Sequence, residues 1–430
     1  MENETAKQSG FAPNRRQIVT GGAALIAAPA VLRVIPANAQ SKVVKVGFVS
    51  PASGPLAAFA ESDNFILGGV REVIGKGVAS NGRTYPVQII VKDSQSSGSR
   101  AAEVAAELIN GDKVNILTGI ATPDTTNPVA DQAEANEIPC ITTNCPWQPY
   151  FFGRKGDPAK GFDWTYHFFW GLEDVIGSFV SLWNSVPTNR VIGGLFPNDA
   201  DGNAWGDQKL GLPMPLAKAN FRLIDPGRYQ PLSNDFTAQI SAFKAAGCEI
   251  VTGVMIPPDF ATFWSQAAQQ NFRPKIVTVG KALLFPSVID SLGARGDGLS
   301  TEIWWSPNHP FKSSLTGQSA RQLTDAWTAS SRRPWTQPVG FVHALWEVVI
   351  DTIKRTKNLD DPKSIVQAIA STNLDTIVGN IKWPGPVKNV CKTPLVAGQW
   401  TRGASGPDLV ITTNAPAPQI PVSGTLRPLG

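Results

Sequence analysis

Thr122 combines a hydroxyl with the start of a helical pattern. It follows Gly119-Ile120-Ala121 and precedes a segment that reads as helix from about Thr125 to Asn136. Unpaired N–H groups and the macrodipole at such a start favour an anion, and the hydroxyl adds a donor. The chemistry this implies is recognition of an anion rather than bond-making. The same hydroxyl also suits a plain helix cap, and a cap and a ligand contact can coexist. Residues for bond-making are sparse. His167, His309 and His343 lie far apart, and His343 falls in an apolar run where a hydrogen-bonded core role is expected. There is no Gly-x-Ser-x-Gly elbow, His-Glu-x-x-His pair or phosphate loop. Gly68, Gly69, Gly75 and Gly77 fall inside or after a predicted helix, not in a strand-to-helix turn. The sequence therefore predicts neither an enzyme nor a cofactor. The four cysteines, Cys140, Cys145, Cys248 and Cys391, match no zinc or dithiol motif, so no metal is expected. In an oxidising compartment Cys140 and Cys145 either pair across a tight loop or remain half-buried thiols.

The elements that must position Thr122 form a repeating pattern. Val44, Val46 and Phe48 alternate with Val43, Lys45 and Gly47, which predicts a strand. Ser50-Pro51-Ala52-Ser53-Gly54-Pro55 stops it. Phe65, Ile66, Val70, Val73 and Ile74 then recur at helical spacing. Further strands are expected at 87–91, 114–118 and 139–143, with a helical face at Ala101, Val104, Ala105, Leu108 and Ile109. Strands alternating with helices predict a parallel sheet covered on both faces, with ligands beyond the carboxyl ends of the strands. A Pro- and Gly-rich loop at 144–164, crowded with Trp147, Tyr150, Phe151 and Phe152, breaks the rhythm. The alternation then restarts, with strands at 191–196, 249–254 and 275–279 and helices between them. The run from Phe341 to Ile353 is apolar nearly all round and reads as a buried helix. Late antiparallel strands are expected at 377–383 and 393–400, and an extended tail from Asn414.

The 430 residues are too many for one ordinary core. The net charge of +4 is spread thinly: residues 1–39 contribute four basic and two acidic side chains, leaving 34 against 32. That balance, with no basic run among aromatics, argues against nucleic acid. The first 39 residues read as an export signal. Arg15-Arg16 resembles a twin-arginine motif, a mild apolar run spans Ile18 to Leu32, and Ala37-Asn38-Ala39 fits signal-peptidase cleavage. The run falls short of the ~20 residues of a membrane span. An exported, periplasmic, soluble protein is expected.

These residues carry a resemblance. Val46-Gly47-Phe48-Val49-Ser50-Pro51-Ala52-Ser53-Gly54-Pro55-Leu56-Ala57, Lys92-Asp93-Ser94-Gln95, Leu117-Thr118-Gly119, Ile138-Pro139-Cys140-Ile141-Thr142 and Leu395-Val396-Ala397-Gly398-Gln399-Trp400 occur in this order. The chain resembles the solute-binding proteins of ABC importers of the leucine/isoleucine/valine-binding type, over about residues 42–400. The resemblance implies a type I periplasmic binding protein fold: two Rossmann-like α/β lobes with parallel sheets, joined by a three-crossover hinge and closing on a ligand. Lobe one would be 42–163 plus 304–373, and lobe two 164–303 plus 374–430. The implied partners are a small-molecule ligand and an ABC importer permease, with the protein itself a monomer. An extracytoplasmic sensor that shares the fold without transport is the alternative.

The resemblance also implies site residues. Ala121-Thr122 and Thr142-Thr143 match the positions that hold a ligand carboxylate. Phe59 matches an aromatic residue after the Gly-Pro loop, with a core role as the alternative. Trp205 and the loop around Ile256 match contacts from lobe two, Glu173 falls just inside that lobe, and Trp147 is a further aromatic candidate. Amino-acid-binding members place a carboxylate after the strand 276–279 to pair the ligand ammonium. Here Gly280-Lys281-Ala282 follows that strand instead. A lysine repels an ammonium, so a non-amino organic or aromatic acid is expected over an amino acid. Lys281 either meets a second acidic or polar group of the ligand or is a solvated loop charge.

Overall fold

A computed structural model describes residues 42–403 and 406–430. The predicted export signal and its cleavage point after Ala39 lie outside the described residues. Among those residues no helix is long and apolar enough to cross a membrane.

The first strand, Val44–Ser50, sits inside a six-stranded parallel sheet. Across that sheet the order is Val390–Cys391, Thr165–Phe168, Cys140–Thr143, Ile116–Gly119, Val44–Ser50 and Val87–Asp93. Val44–Ser50 is buried on both faces, because helices cover both sides. Gly47 permits this packing: a Cβ there would lie 3.0 Å from Leu108 of the helix Gly98–Asn110. On the opposite face the helix Pro338–Arg355 is buried along nearly its whole length. Its Trp346 meets Phe48 edge-on at 5.9 Å.

A second, eight-stranded sheet has the order Arg228–Tyr229, Val191–Pro197, Ile250–Met255, Ile276–Lys281, Ser300–Ile303, Val396–Gly403 and Gly406–Thr413, with Arg222–Ile224 also on Val191–Pro197. It is parallel through Ser300–Ile303, and the last two strands run antiparallel. The chain passes between the sheets three times, after Phe168, after Ile303 and after Cys391. The architecture is thus two α/β lobes with three crossovers.

Strand pairing moves the expected lobe boundaries. Thr165–Phe168 falls within the expected lobe two, yet it pairs with Cys140–Thr143 in the first sheet. The segment 374–391 also falls within the expected lobe two. Its hairpin, Asn373–Thr376 with Gly379–Lys382, is held on the lobe-one side: Glu347 of the buried helix accepts from the Ile377 N–H at 2.9 Å. Val390–Cys391 then joins the first sheet beside Thr165–Phe168. Edge strands this short carry little apolar periodicity, so only pairing assigns them. The aromatic loop at 144–164 is tighter than expected, with a short helix at Trp147–Phe151. Arg154 braces it by stacking on Phe162 at 4.0 Å and pairing with Asp131 at 2.6 Å. The four cysteines are all free thiols and buried.

Candidate functional site

Strand ends of the two lobes face each other across one cleft, where about 320 Å³ is free of protein atoms and part of it opens to solvent. The enclosed part, about 30 Å³, holds little more than a water molecule, so the two walls stand close together here. The lobe-one wall begins where Ile116–Gly119 ends. Ala121 takes φ +108°, a conformation that L-residues rarely adopt, and Thr122 then opens the helix Pro123–Ala135. Thr122 lines the cleft, and its buried hydroxyl has no hydrogen-bond partner among the described residues. The helix start is closed instead by Thr125, whose hydroxyl donates to the Thr122 carbonyl at 3.2 Å.

The neighbouring strand behaves differently from expectation. Thr142 donates to His167 Nδ1 at 2.9 Å, and Thr143 donates to the Phe168 carbonyl at 2.6 Å. Neither threonine lines the cleft. Strand pairing runs through Thr143 and turns both hydroxyls onto the next strand, so the cleft is reached one residue later. Asn144 (φ +72°) lines it, with both side-chain amide atoms buried and unpaired among the described residues. Burial drives the His167 pKa down to about 3, which keeps the ring neutral while Nε2 donates to the Cys145 carbonyl at 2.8 Å.

Aromatic residues form the walls. Phe59 lines the cleft and meets Phe285 at 4.9 Å. Trp170 and Trp304 stand at two of the crossovers, and Trp205 ends the short helix Ala200–Trp205. All three indole N–H groups are buried and unpaired among the described residues. Trp147, by contrast, donates to Glu173 at 3.3 Å outside the cleft. Glu173 and Asp174 are held by Lys392 at 2.7 and 2.8 Å. Burial opposes the Glu173 charge, but Lys392 and further donors hold its carboxyl below the usual range. Ile256 packs against the large core, and Val254 takes the cleft position on that side.

Lys281 is not a solvated loop charge. It is 5% exposed, has φ +63°, and its ammonium lies 2.7 Å from Asp201 and 3.3 Å from Asp199. Burial works against its charge, yet Asp199, Asp201 and Asp124 more than offset this and hold the ammonium above the ordinary lysine range. Burial pushes the Asp201 carboxyl up and Lys281 pulls it back. Glu302, also raised by burial, lines the same wall. Asp124, in the first turn of its lobe-one helix, accepts from the Ala200 N–H of lobe two at 3.3 Å, a bridge across the mouth of the cleft.

Of the residues expected at the site, Phe59, Ala121, Thr122, Trp205 and Lys281 meet in the cleft, whereas Thr142, Thr143, Trp147, Glu173 and Ile256 do not line it. Asn144, Trp170, Asp201, Glu302 and Trp304 line it as well. Glu302 carried a legible signal, an acid in the uncharged run Leu299–Trp305. Asn144 did not, because its role depends on where strand pairing stops.

A family model for periplasmic binding proteins matches residues 43–405. This chain is a type I periplasmic binding protein. Solved members share its fold at low identity. A leucine-binding protein from Thermotoga maritima superposes with a TM-score of 0.66 at 16% identity, covering 86% of this chain and 99% of its own. A type 1 periplasmic binding protein from Bordetella pertussis gives 0.71 at 15% identity, covering 86% and 100%. A solute-binding protein of an ABC transporter from Rhodopseudomonas palustris, solved with 3,4-dihydroxy benzoic acid, gives 0.69 at 16% identity, covering 86% and 96%. In the periplasmic binding protein fold the cleft between lobes is where Thr122, Asn144 and the three indoles converge.

Proposed function

We propose that this protein is an exported, monomeric solute-binding protein that captures a small non-amino organic or aromatic acid between its lobes and delivers it to an ABC importer. One observation carries the ligand reading. The Thr122 hydroxyl, the Asn144 amide and the indole N–H groups of Trp170, Trp205 and Trp304 are buried around a single cleft with no partner among the described residues. A buried donor left unpaired costs about 1–3 kcal/mol. A ligand rich in acceptors, such as a carboxylate, removes that cost, and a flat apolar body suits the aromatic walls. An ammonium fits less well, because Lys281 already occupies one oxygen of Asp201 and repels a second cation. The leucine-binding protein and the relative solved with 3,4-dihydroxy benzoic acid fall on either side of this choice.

Calorimetric titration with matched pairs decides it: leucine against 4-methylpentanoate, and phenylalanine against 3-phenylpropanoate. The deaminated member should bind more tightly. Tighter binding of the amino acids would assign Asp201 or Glu302 to the ligand ammonium. Delivery to an importer separates from sensing by uptake: deleting the gene should abolish import of the acid that binds. Export is supported by Arg15-Arg16 and Ala37-Asn38-Ala39, and N-terminal sequencing of the exported protein should begin at Gln40.

A further inference from the structure

The strand Ser300–Ile303 brings a single acid into the cleft wall. Glu302 is 2% exposed, accepts from the Thr301 hydroxyl at 2.8 Å, and accepts from the Lys281 N–H at 3.3 Å. Gly280 on the neighbouring strand makes the space for it. A Cβ there would lie 3.1 and 3.2 Å from the two Glu302 carboxyl oxygens and 2.9 Å from the Trp205 ring. The acid missing after strand Ile276–Lys281 is therefore replaced from the adjacent strand, over the residue that lacks a side chain.

Asp201 adds to the same wall. One of its oxygens takes the Lys281 ammonium at 2.7 Å, and the other, Oδ1, is buried with no partner among the described residues. Lys281 lies between Asp199 and Asp201 and is not free to fill that oxygen. The lobe-two wall thus presents one unfilled buried acceptor, Asp201 Oδ1, in the same wall as Glu302, whose two oxygens each already accept one hydrogen bond. The Thr122 hydroxyl and the Asn144 amide stand on the lobe-one side. Asp201 Oδ1 is an acceptor among the unpaired donors of Thr122, Asn144 and Trp205, so one ligand must both accept and donate.

We propose that Glu302 and Asp201 form a second polar subsite that receives a hydroxyl from the end of the ligand remote from its carboxylate, so that the solute is a hydroxy-carboxylic acid. This rests on the carboxylate reading above and adds a second recognition point to it. A hydroxyl donates to a carboxylate oxygen without bringing a second cation beside Lys281, and a plain C–H in its place leaves Asp201 Oδ1 buried and unpaired. A site built around such an acceptor rejects the analogue that lacks the hydroxyl.

The test is calorimetric titration of the purified protein with three pairs: benzoate and 4-hydroxybenzoate, phenylacetate and 4-hydroxyphenylacetate, hexanoate and 6-hydroxyhexanoate. The hydroxylated member of at least one pair should bind roughly tenfold or more tightly than its partner. Glu302→Gln should collapse that ratio in a protein that still melts cooperatively, and Asp201→Asn should do the same independently. Binding of plain and hydroxylated acids with equal affinity overturns this inference and leaves the carboxylate reading intact. So does a ratio unchanged in both variants, or tighter binding of 4-(aminomethyl)benzoate than of 4-hydroxybenzoate. Failure of all six acids to bind overturns the carboxylate reading, and this inference with it.

Discussion

The Lys281 ammonium lies 2.7 Å from an Asp201 oxygen, and both side chains are buried. Removing one member of a buried pair strands the other charge, at a cost of about 3–5 kcal/mol. Lys281→Met should therefore lower unfolding stability by about that amount in urea titrations. The double variant Lys281→Met/Asp201→Asn should recover much of the loss. A single-variant loss under ~1 kcal/mol would mean that water screens the pair as it does at a surface.

Thr122 separates a cap from a ligand contact. Its hydroxyl makes no hydrogen bond in the described structure, so Thr122→Val should leave the melting temperature close to that of the parent. Affinity for the tightest acid should fall by about 1–3 kcal/mol if the hydroxyl donates to a carboxylate. A variant that melts earlier but binds normally would return Thr122 to a helix-capping role alone.

Asp124 spans the mouth of the cleft by accepting from the Ala200 N–H at 3.3 Å. Closure of two lobes on a hinge is a rigid-body change that such a bridge favours. Asp124→Ala should speed ligand release by roughly three- to tenfold in stopped-flow measurements. Small-angle scattering of the ligand-loaded variant should show a larger radius than that of the loaded parent. Asp124→Asn keeps an acceptor and should lie between the two. Unchanged release and radius would show that the bridge does not govern closure.

Asp63 gives a pH prediction with a definite sign. Burial pushes its carboxyl up to about 7, against the pull of the Ser50 hydroxyl, from an ordinary value of 3.8. The folded chain then holds a proton that the unfolded chain releases first. The stability this contributes is complete below about pH 4 and is lost as the pH rises to about 7. Asp63→Asn removes that loss, on the order of 4 kcal/mol across the window. The variant should be the more stable protein above pH 7. The readout is the difference between variant and parent in urea midpoint against pH, because His167, His309 and His343, whose pKa values burial lowers, act in the opposite sense in acid. A difference that does not change with pH would place Asp63 in contact with solvent.

Periodicity and punctuation in the sequence determined the element order. Val44–Ser50, the helix Asp63–Ile74 and the buried helix Pro338–Arg355 were all legible, because apolar spacing records which faces leave water. Thr122 was legible as well, since a helix start is a local event. Pairing and register belong only to the tertiary structure. Thr165–Phe168 and Val390–Cys391 join the first sheet through hydrogen bonds to partners distant in the chain, and nothing in a short strand names its partner. The same pairing ties the hydroxyls of Thr142 and Thr143 to the next strand and leaves Asn144 facing the cleft. Lys281 shows the limit most directly. Read alone it was a cation where an acid was expected, and its charge repelled an ammonium. In the folded chain Asp199 and Asp201 approach it from another strand's end and Glu302 fills the space above Gly280. The charge of a cleft is a sum over residues that only the fold brings together.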